Sequence, residues 1–295
     1  MPYVLTDDGV NLWYEEYGSG HPIVFVHEFG GDSRSWEPQL RYFARTYKVI
    51  AFNARGYPPS DVPEDLDRYG QFRAVDDIYY VLKGLNIEKA HIVGLSMGGF
   101  AALHFGFRYP ECATSLTVAG AGYGAHPEVH DQFAKETREV ADRIEIETME
   151  NFSKIYSIGP TRVQFANKDP LGWKLFAKDL ADHSTIGSSN TMRAVQGKRP
   201  SLYDFENEML SLSIPTLIMS GDEDDPCLDV NLFMKRQISS SALAILPRSG
   251  HLINLEEPDL FNQILSNFLS QVDAGRWEMR DPRSVTTNIL WSEDS

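Results

Sequence analysis

Two cysteines, Cys112 and Cys227, stand in 295 residues. That is too few to staple a secreted fold of this size, so a disulfide framework is excluded and a reducing, cytoplasmic setting is expected. Long apolar runs are missing too: no stretch of about 18 apolar residues occurs. The N-terminus, Met-Pro-Tyr-Val-Leu-Thr-Asp-Asp, has neither the basic region nor the apolar segment of a signal peptide. A membrane partner is not expected. Positive charge is scarce, with 27 Lys and Arg against 42 Asp and Glu, a net −15 at pH 7. Such a surface repels phosphate backbones and anionic headgroups, and no Lys/Arg cluster makes a local exception, so nucleic acid is excluded as a partner. What remains is a globular protein long enough to bury a pocket, with a small molecule as the expected partner.

What is present is an alternation of strand and helix patterns. Residues 10–17 alternate weakly, 22–26 are a short run rich in β-branched residues, and 47–52 form another, all reading as strands. Between the last two, Trp36, Leu40 and Phe43 are spaced as in a helix over 33–45. From Gln71 to Leu85 the apolar positions Phe72, Val75, Ile78, Tyr79 and Leu82 recur at steps of three and four, which predicts a helix with one buried face. A strand at 90–95, a helix at 100–107 and a strand at 115–118 follow. The alternation then fails from about residue 122 to 211, where the spacing is helical throughout. It returns with strands at 215–219 and 241–246 and a helix at 258–269. Such a pattern predicts an α/β fold, a mostly parallel sheet with helices on both faces and a helical insertion. The expected division is a core of 1–121 and 212–274, an insertion of 122–211 and a C-terminal extension of 275–295. Trp277, Met279, Ile289, Leu290 and Trp291 give that extension apolar character. It docks on the core, docks on a second copy to make a homo-oligomer, or is loosely held; the pattern leaves these three open.

The chemistry centres on Gly94-Leu95-Ser96-Met97-Gly98, a G-x-S-x-G motif between a strand and a helix. A sharp strand-to-helix turn holds the serine in a strained conformation and needs small neighbours, here Gly94, Gly98 and Gly99. The helix N-terminus and the Met97 N–H favour negative charge beside it. A serine hydroxyl needs a base, and the base an orienting acid. Two later turns supply them: Ser249-Gly250-His251 and Gly221-Asp222-Glu223-Asp224-Asp225. The order serine, acid, histidine suits groups at the ends of successive strands. Metal motifs fail on spacing. With Asp222 as position 1 of an EF-hand loop, Cys227 falls at 6 and Phe233 at 12, where Gly and Glu are required. His27-Glu28 is followed by Gly31 where H-E-x-x-H needs its second histidine. No metal or cofactor is expected.

Five stretches in this order, His27-Glu28-Phe29-Gly30-Gly31, Asn53-Ala54-Arg55-Gly56-Tyr57, the Ser96 turn, Gly221 to Asp224 and Gly250-His251, make the chain resemble the α/β-hydrolase family. The resemblance covers nearly all of residues 20–255. It implies an eight-stranded sheet with a helical cap inserted after the sixth strand, and a triad of Ser96, Asp224 and His251, with Asp225 the neighbouring alternative for the acid. It implies an oxyanion hole from the N–H groups of Phe29 and Met97, with Glu28 as the alternative donor. Glu28 departs from the usual His-Gly at this point; an ion pair with a neighbouring donor is its expected role, and substrate contact or action as an extra acid are the alternatives. Asn53 and Pro58-Pro59-Ser60 also depart from the family pattern and are read as loop-organising.

Near the site, His27 and Trp173 are further candidates, His27 more as a structural hydrogen-bonding group than a second base. Phe133, Phe152, Tyr156, Phe165, Trp173 and Phe176 are candidate pocket walls, and His126, His130 and His183 are read as surface groups of the cap. A serine at the nucleophile position excludes the alkyl-ester chemistry that an aspartate there performs. The expected enzyme is an esterase or lactonase acting on a small, mainly apolar substrate. Carbon-carbon bond hydrolysis, a non-hydrolytic reaction on the same fold, and ligand binding with little turnover stay open as alternatives.

Overall fold

The computed structural model describes residues 2–285 and 289. Eight strands form one sheet in the order β1-β2-β4-β3-β5-β6-β7-β8, namely β1 (Tyr3–Leu5), β2 (Asn11–Tyr17), β3 (Pro22–Val26), β4 (Lys48–Phe52), β5 (Ala90–Leu95), β6 (Ala113–Ala119), β7 (Thr216–Gly221) and β8 (Ser241–Leu246). β2 runs antiparallel to both β1 and β4, and every pairing from β4 to β8 is parallel. This is the mostly parallel sheet expected from the alternation, with the eight strands that the family resemblance implies. The β-branched runs of β3, β4 and β5 are buried on both faces, as crossover helices require. β1 had no sequence signal, because three residues on an outer strand are too short for a period to register.

The helices of the core are α1 (Glu37–Phe43), α2 (Gln71–Gly84) and α3 (Met97–Arg108). Between β6 and β7 lie α4 (Pro127–Tyr156), α5 (Val163–Lys168), α6 (Pro170–Ala181), α7 (Thr185–Asn190), a wider turn at Thr191–Gln196, and α8 (Glu206–Ser211). The core resumes with α9 (Asp225–Gln237), α10 (Ile253–Glu256) and α11 (Pro258–Asp273). The sequence pattern does not show α9, since its cluster of acids masks an apolar face made of Cys227, Val230 and Met234. On one side of the sheet Leu40, Phe43, Phe261 and Leu265 of α1 and α11 pack on Phe25, Ala51 and Val93. On the other, Val75, Ile78, Phe100, Leu103 and Val230 pack on Val24, Ile50, Ile92 and Val118. The extension returns to its own core: the Trp277 indole N–H donates to the Ser240 carbonyl at 2.8 Å and its ring lies edge-on to Phe268. Met279 and Ile289 are exposed; Leu290 and Trp291 lie outside the described residues.

Charge and close backbone contact fasten the helical segment onto the core. Arg34 donates to the Asp179 carboxylate at 2.8 Å and to its carbonyl at 3.1 Å. Gly187 of α7 sits on Gly56, where a Cβ would come within 1.9 Å of the Gly56 carbonyl oxygen. His183 Nε2 is 3.2 Å from Asp32 Oδ2 and both are buried, which corrects the reading of His183 as a surface group. Asp32 also caps the turn of residues 33–36 and pairs with Arg34 at 2.6 Å. Burial opposes the Asp32 charge, but hydrogen bonds and attraction from His183 and Arg34 outweigh it and hold the carboxyl well below its usual value. An acid depressed on folding contributes stability that is complete above its unfolded pKa of about 4 and is lost as pH falls towards the folded value. Asp32→Asn is therefore expected to lower urea-unfolding stability at pH 7 by about 2 kcal/mol. The gap should narrow steadily below about pH 4; a gap that is constant from pH 7 to 3 contradicts this account.

Candidate active site

β3, β5, β7 and β8 all end at one edge of the sheet, where ligands of open α/β sheets bind. Ser96 follows β5 directly, with φ 54° and ψ −113°. That conformation costs a non-glycine residue on the order of 1–3 kcal/mol and is held by its surroundings. The Ser96 N–H donates to the Ala119 carbonyl at 2.7 Å, and the Phe100 N–H donates to the Ser96 carbonyl at 2.9 Å. Gly98 lets α3 start against β3, since a Cβ there would lie 2.1 Å from the Val26 carbonyl oxygen. The turn thus brings Ser96 beside the loop that leaves β3.

On that loop the Phe29 N–H has no acceptor among the described residues, and neither does the Met97 N–H at the start of α3. His27 Nδ1 donates to the Glu28 carbonyl at 2.8 Å, on the same peptide as the Phe29 N–H, and the Tyr57 hydroxyl donates to the Phe29 carbonyl of the next peptide at 2.9 Å. Burial pushes the Tyr57 phenol well above its usual pKa, so it remains a donor.

Asp224, three residues beyond β7, accepts from His251 Nδ1 at 2.8 Å through Oδ2, and both side chains are buried. Asp225, the neighbouring alternative, begins α9 and is exposed. Burial penalises the Asp224 charge, but the pull of His251 exceeds it and the carboxyl stays below its ordinary pKa. Under this pair, the Cys227 thiol donates to the Gly120 carbonyl at 3.4 Å. Burial, followed by the Asp224 charge, pushes the thiol well above its usual pKa, so it is no nucleophile. Asp224, Cys227 and His251 could in principle hold an ion. A metal there would occupy the imidazole nitrogen and carboxylate that the hydrogen bond already uses.

Ser96, His251, Asp224, Glu28 and Phe29 line one cavity of about 500 Å³, roofed by Tyr123, Phe133, Val140, Tyr156, Met192 and Arg199 from the helices and loops of the insertion. Glu28 is fully buried and accepts both carboxylate bonds, at 3.0 and 2.9 Å, from Arg162 of the insertion, which also donates to the Tyr156 hydroxyl at 3.1 Å. Burial works against the Arg162 charge; Glu28 outweighs it and raises the guanidinium above its ordinary value. No motif announced Arg162 or Arg199: Arg162 meets Glu28 across 134 residues, and Arg199 lies in an irregular loop where its contact to Tyr123 spans 76.

The comparison with known proteins agrees with this geometry. Residues 21–258 match the family described as alpha/beta hydrolase fold. The chain belongs to the α/β-hydrolase family. It is 31% identical over 261 residues to 3-oxoadipate enol-lactonase 1 of Acinetobacter baylyi, covering 85% of this chain and 89% of that one. It is 26% identical over 274 residues to a putative 2-succinyl-6-hydroxy-2,4-cyclohexadiene-1-carboxylate synthase of Bacillus subtilis, covering 92% and 95%. A thermophilic esterase from Thermogutta terrifontis superposes with a TM-score of 0.80 at 25% identity, over 92% of this chain and 98% of that one. The protein is a hydrolase of the Ser-His-Asp type, and ester or lactone hydrolysis is the activity that its relatives support.

Several candidates fall outside the hydrolase cavity. His27 is buried, with Nδ1 bonded to the Glu28 carbonyl at 2.8 Å and Nε2 accepting from the Ala54 N–H at 3.0 Å, so both ring nitrogens are spent on holding loops. Trp173 donates its indole N–H to the Ser157 carbonyl at 2.7 Å and does not line the cavity. Of the other aromatic candidates, Phe133 and Tyr156 line it; Phe152 packs behind Tyr156, and Phe165 and Phe176 face a separate cleft between core and insertion. His126 caps α4, and His130 bonds the Arg199 carbonyl at 3.0 Å.

A second serine, histidine and aspartate also meet in this chain. His91 bonds Ser115 Oγ at 2.7 Å through Nδ1 and Asp273 Oδ1 at 3.1 Å through Nε2. They sit at the opposite end of the sheet, where Ser115 is an ordinary strand residue, fully buried and away from the cavity. His21 joins Asp273 at 2.8 Å. This set ties α11 to the sheet, and it lacks the strained turn and the helix N-terminus that Ser96 has.

The buried pair at the mouth of the β3 loop is open to test. Arg162→Gln strands the Glu28 carboxylate and is expected to cost about 3 kcal/mol in urea unfolding. Adding Glu28→Gln should recover most of that loss; two independent, additive losses would contradict a compensated pair.

Proposed function

We propose that this hydrolase cleaves a carboxylic ester or lactone of a small, mainly apolar substrate through an acyl-enzyme on Ser96. The observation that carries the reading is the 2.8 Å bond from His251 to Asp224 in the same cavity as a serine at φ 54°. Asp224 accepts the Nδ1 proton, which leaves Nε2 of the neutral imidazole as the base. His251 takes the Ser96 proton as the hydroxyl oxygen bonds to the substrate carbonyl carbon. The carbonyl oxygen becomes an oxyanion, and the free N–H groups of Phe29 and Met97 stabilise it. Collapse expels the alcohol oxygen, which takes the proton from His251. Water then repeats the sequence on the acyl-enzyme, giving the carboxylic acid and restoring Ser96. With a lactone the leaving oxygen stays tethered and the product is one hydroxy acid. Support comes from the enol-lactonase relative and the esterase fold, and from the apolar roof of Phe133, Val140 and Met192. A second reading, a reaction on the same triad without water, draws on the 26% identical synthase; oxygen-18 from labelled water in the product acid separates the two. The unlinked thiols of Cys112 and Cys227 support a cytoplasmic setting, and no helix among the described residues is long and apolar enough to cross a membrane.

Intact-mass measurement after exposure to a fluorophosphonate tests the reading. One adduct is expected on the wild type and on Ser115→Ala, and none on Ser96→Ala. Asp224→Asn and His251→Ala should react more slowly by on the order of a thousandfold. An adduct that survives Ser96→Ala, or disappears in Ser115→Ala, overturns the assignment.

A further inference from the structure

Three arginines are almost wholly buried: Arg55, Arg162 and Arg199. Arg55 is bound by Asp77 and Asp8, and Arg162 by Glu28. Arg199 has no carboxylate partner among the described residues. One terminal nitrogen donates to the Gln196 side-chain oxygen and the other to the Tyr123 carbonyl. Its guanidinium carbon lies 3.8 Å from the Phe100 ring centroid and 4.9 Å from that of Phe133. Two of its five N–H donors are thereby used. An uncompensated buried charge costs several kcal/mol, a cost rarely met in a fold unless something returns it. Desolvation draws the guanidinium down to about 9, as a charge without a counter-ion must be.

The residue also lines the Ser96 cavity. Phe100, whose ring carries the cation, lies one helical turn past Ser96 at the start of α3, so the guanidinium and the reacting hydroxyl share one cavity. The cavity's own acids do not answer it. Glu28 is committed to Arg162 and Asp224 to His251, while Glu136, Glu223 and Asp225 are exposed. Three N–H donors of the guanidinium remain unspent, enough for a two-point contact, which suits a two-oxygen anion better than a neutral group.

We propose that Arg199 is a specificity-determining residue that binds a carboxylate on the substrate, so that the ester or lactone this enzyme turns over is an acidic one. The proposal rests on the acyl-enzyme reading of Ser96 for its reaction, but not for its binding step. It narrows the expected mainly apolar substrate to an apolar body with one anionic end. The exposed acids at the mouth are screened by water and salt, whereas the attraction inside is not.

Calorimetric titration of wild type with glutarate and with glutaramide reads the binding step without any turnover. Glutarate should bind at least about tenfold tighter than the diamide, and Arg199→Gln should abolish the difference. Hydrolysis of the p-nitrophenyl monoester of glutaric acid, against its methyl-capped counterpart, reads the reaction. The preference for the acid over the capped ester should fall about tenfold or more in Arg199→Gln, mainly through KM, with partial rescue in Arg199→Lys. Equal binding of glutarate and glutaramide to wild type overturns the proposal. So does an equal loss of both esters in Arg199→Gln, which marks a structural arginine. Because the titration does not involve Ser96, glutarate binding without a fluorophosphonate adduct would fault the acyl-enzyme reading alone, and an adduct without a glutarate preference would fault this proposal alone.

Discussion

The approach of α3 to β3 is the contact on which the site depends. A side chain at Gly98 would collide with the Val26 carbonyl, and any outward shift of the helix would part Ser96 from the loop that carries Phe29. With the contact made, the strained Ser96, followed at once by Met97 at the start of α3, lines one cavity with Phe29. The sheet supplies the remainder: parallel β7 and β8 end at the same edge, so Asp224 and His251 arrive from neighbouring strands without a long excursion of either loop. The strain at Ser96 is tolerated because its own N–H is held by the Ala119 carbonyl and its carbonyl by the Phe100 N–H of the first turn of α3.

Charge is distributed with an evident division of labour. Glu28 is the one departure from the family's usual small residue in the β3 loop, and its carboxylate is neutralised by Arg162 from the inserted helices. The same ion pair fastens the roof over the loop, with Asp32, Arg34, His183 and Asp179 as a second fastening farther out. Arg199, by contrast, is left without an acid inside the cavity it helps enclose. Two buried arginines of the insertion therefore do different things: one is spent on Glu28, and the other, on this proposal, receives what enters. The His91, Ser115 and Asp273 set makes the complementary point. Three side chains of the right types within hydrogen-bonding distance are insufficient for nucleophilic catalysis when the serine lies flat in a strand.

The sheet was largely legible in the sequence because its central strands are buried on both faces, and runs such as Pro22–Val26 and Ala90–Leu95 leave little ambiguity of period. Ser96, Asp224 and His251 were legible because chemistry and backbone geometry coincide in short local motifs. Arg162, Arg199 and the Asp32–His183 contact were not, since each depends on how the inserted helices fold back over the core, and a helical pattern does not say which face turns inward. Trp173 and His27 illustrate the converse. Both are near the site in sequence or type, yet their polar atoms are consumed by the carbonyls of Ser157 and Glu28 and by the Ala54 N–H. α9 was hidden because Asp222 to Asp225 reads as a turn, although Asp225 already begins the helix.

The central claim is that Ser96 carries the acyl group between two half-reactions. Rapid-mixing measurement of p-nitrophenol release from p-nitrophenyl acetate, with peptide mapping of the quenched enzyme, tests it most directly. The account predicts an initial burst approaching one equivalent per active chain, with the acetyl group on the peptide containing Ser96 and both signals absent in Ser96→Ala. A burst that persists in Ser96→Ala, or an acetyl group mapped to Ser115 or Cys227, would contradict it.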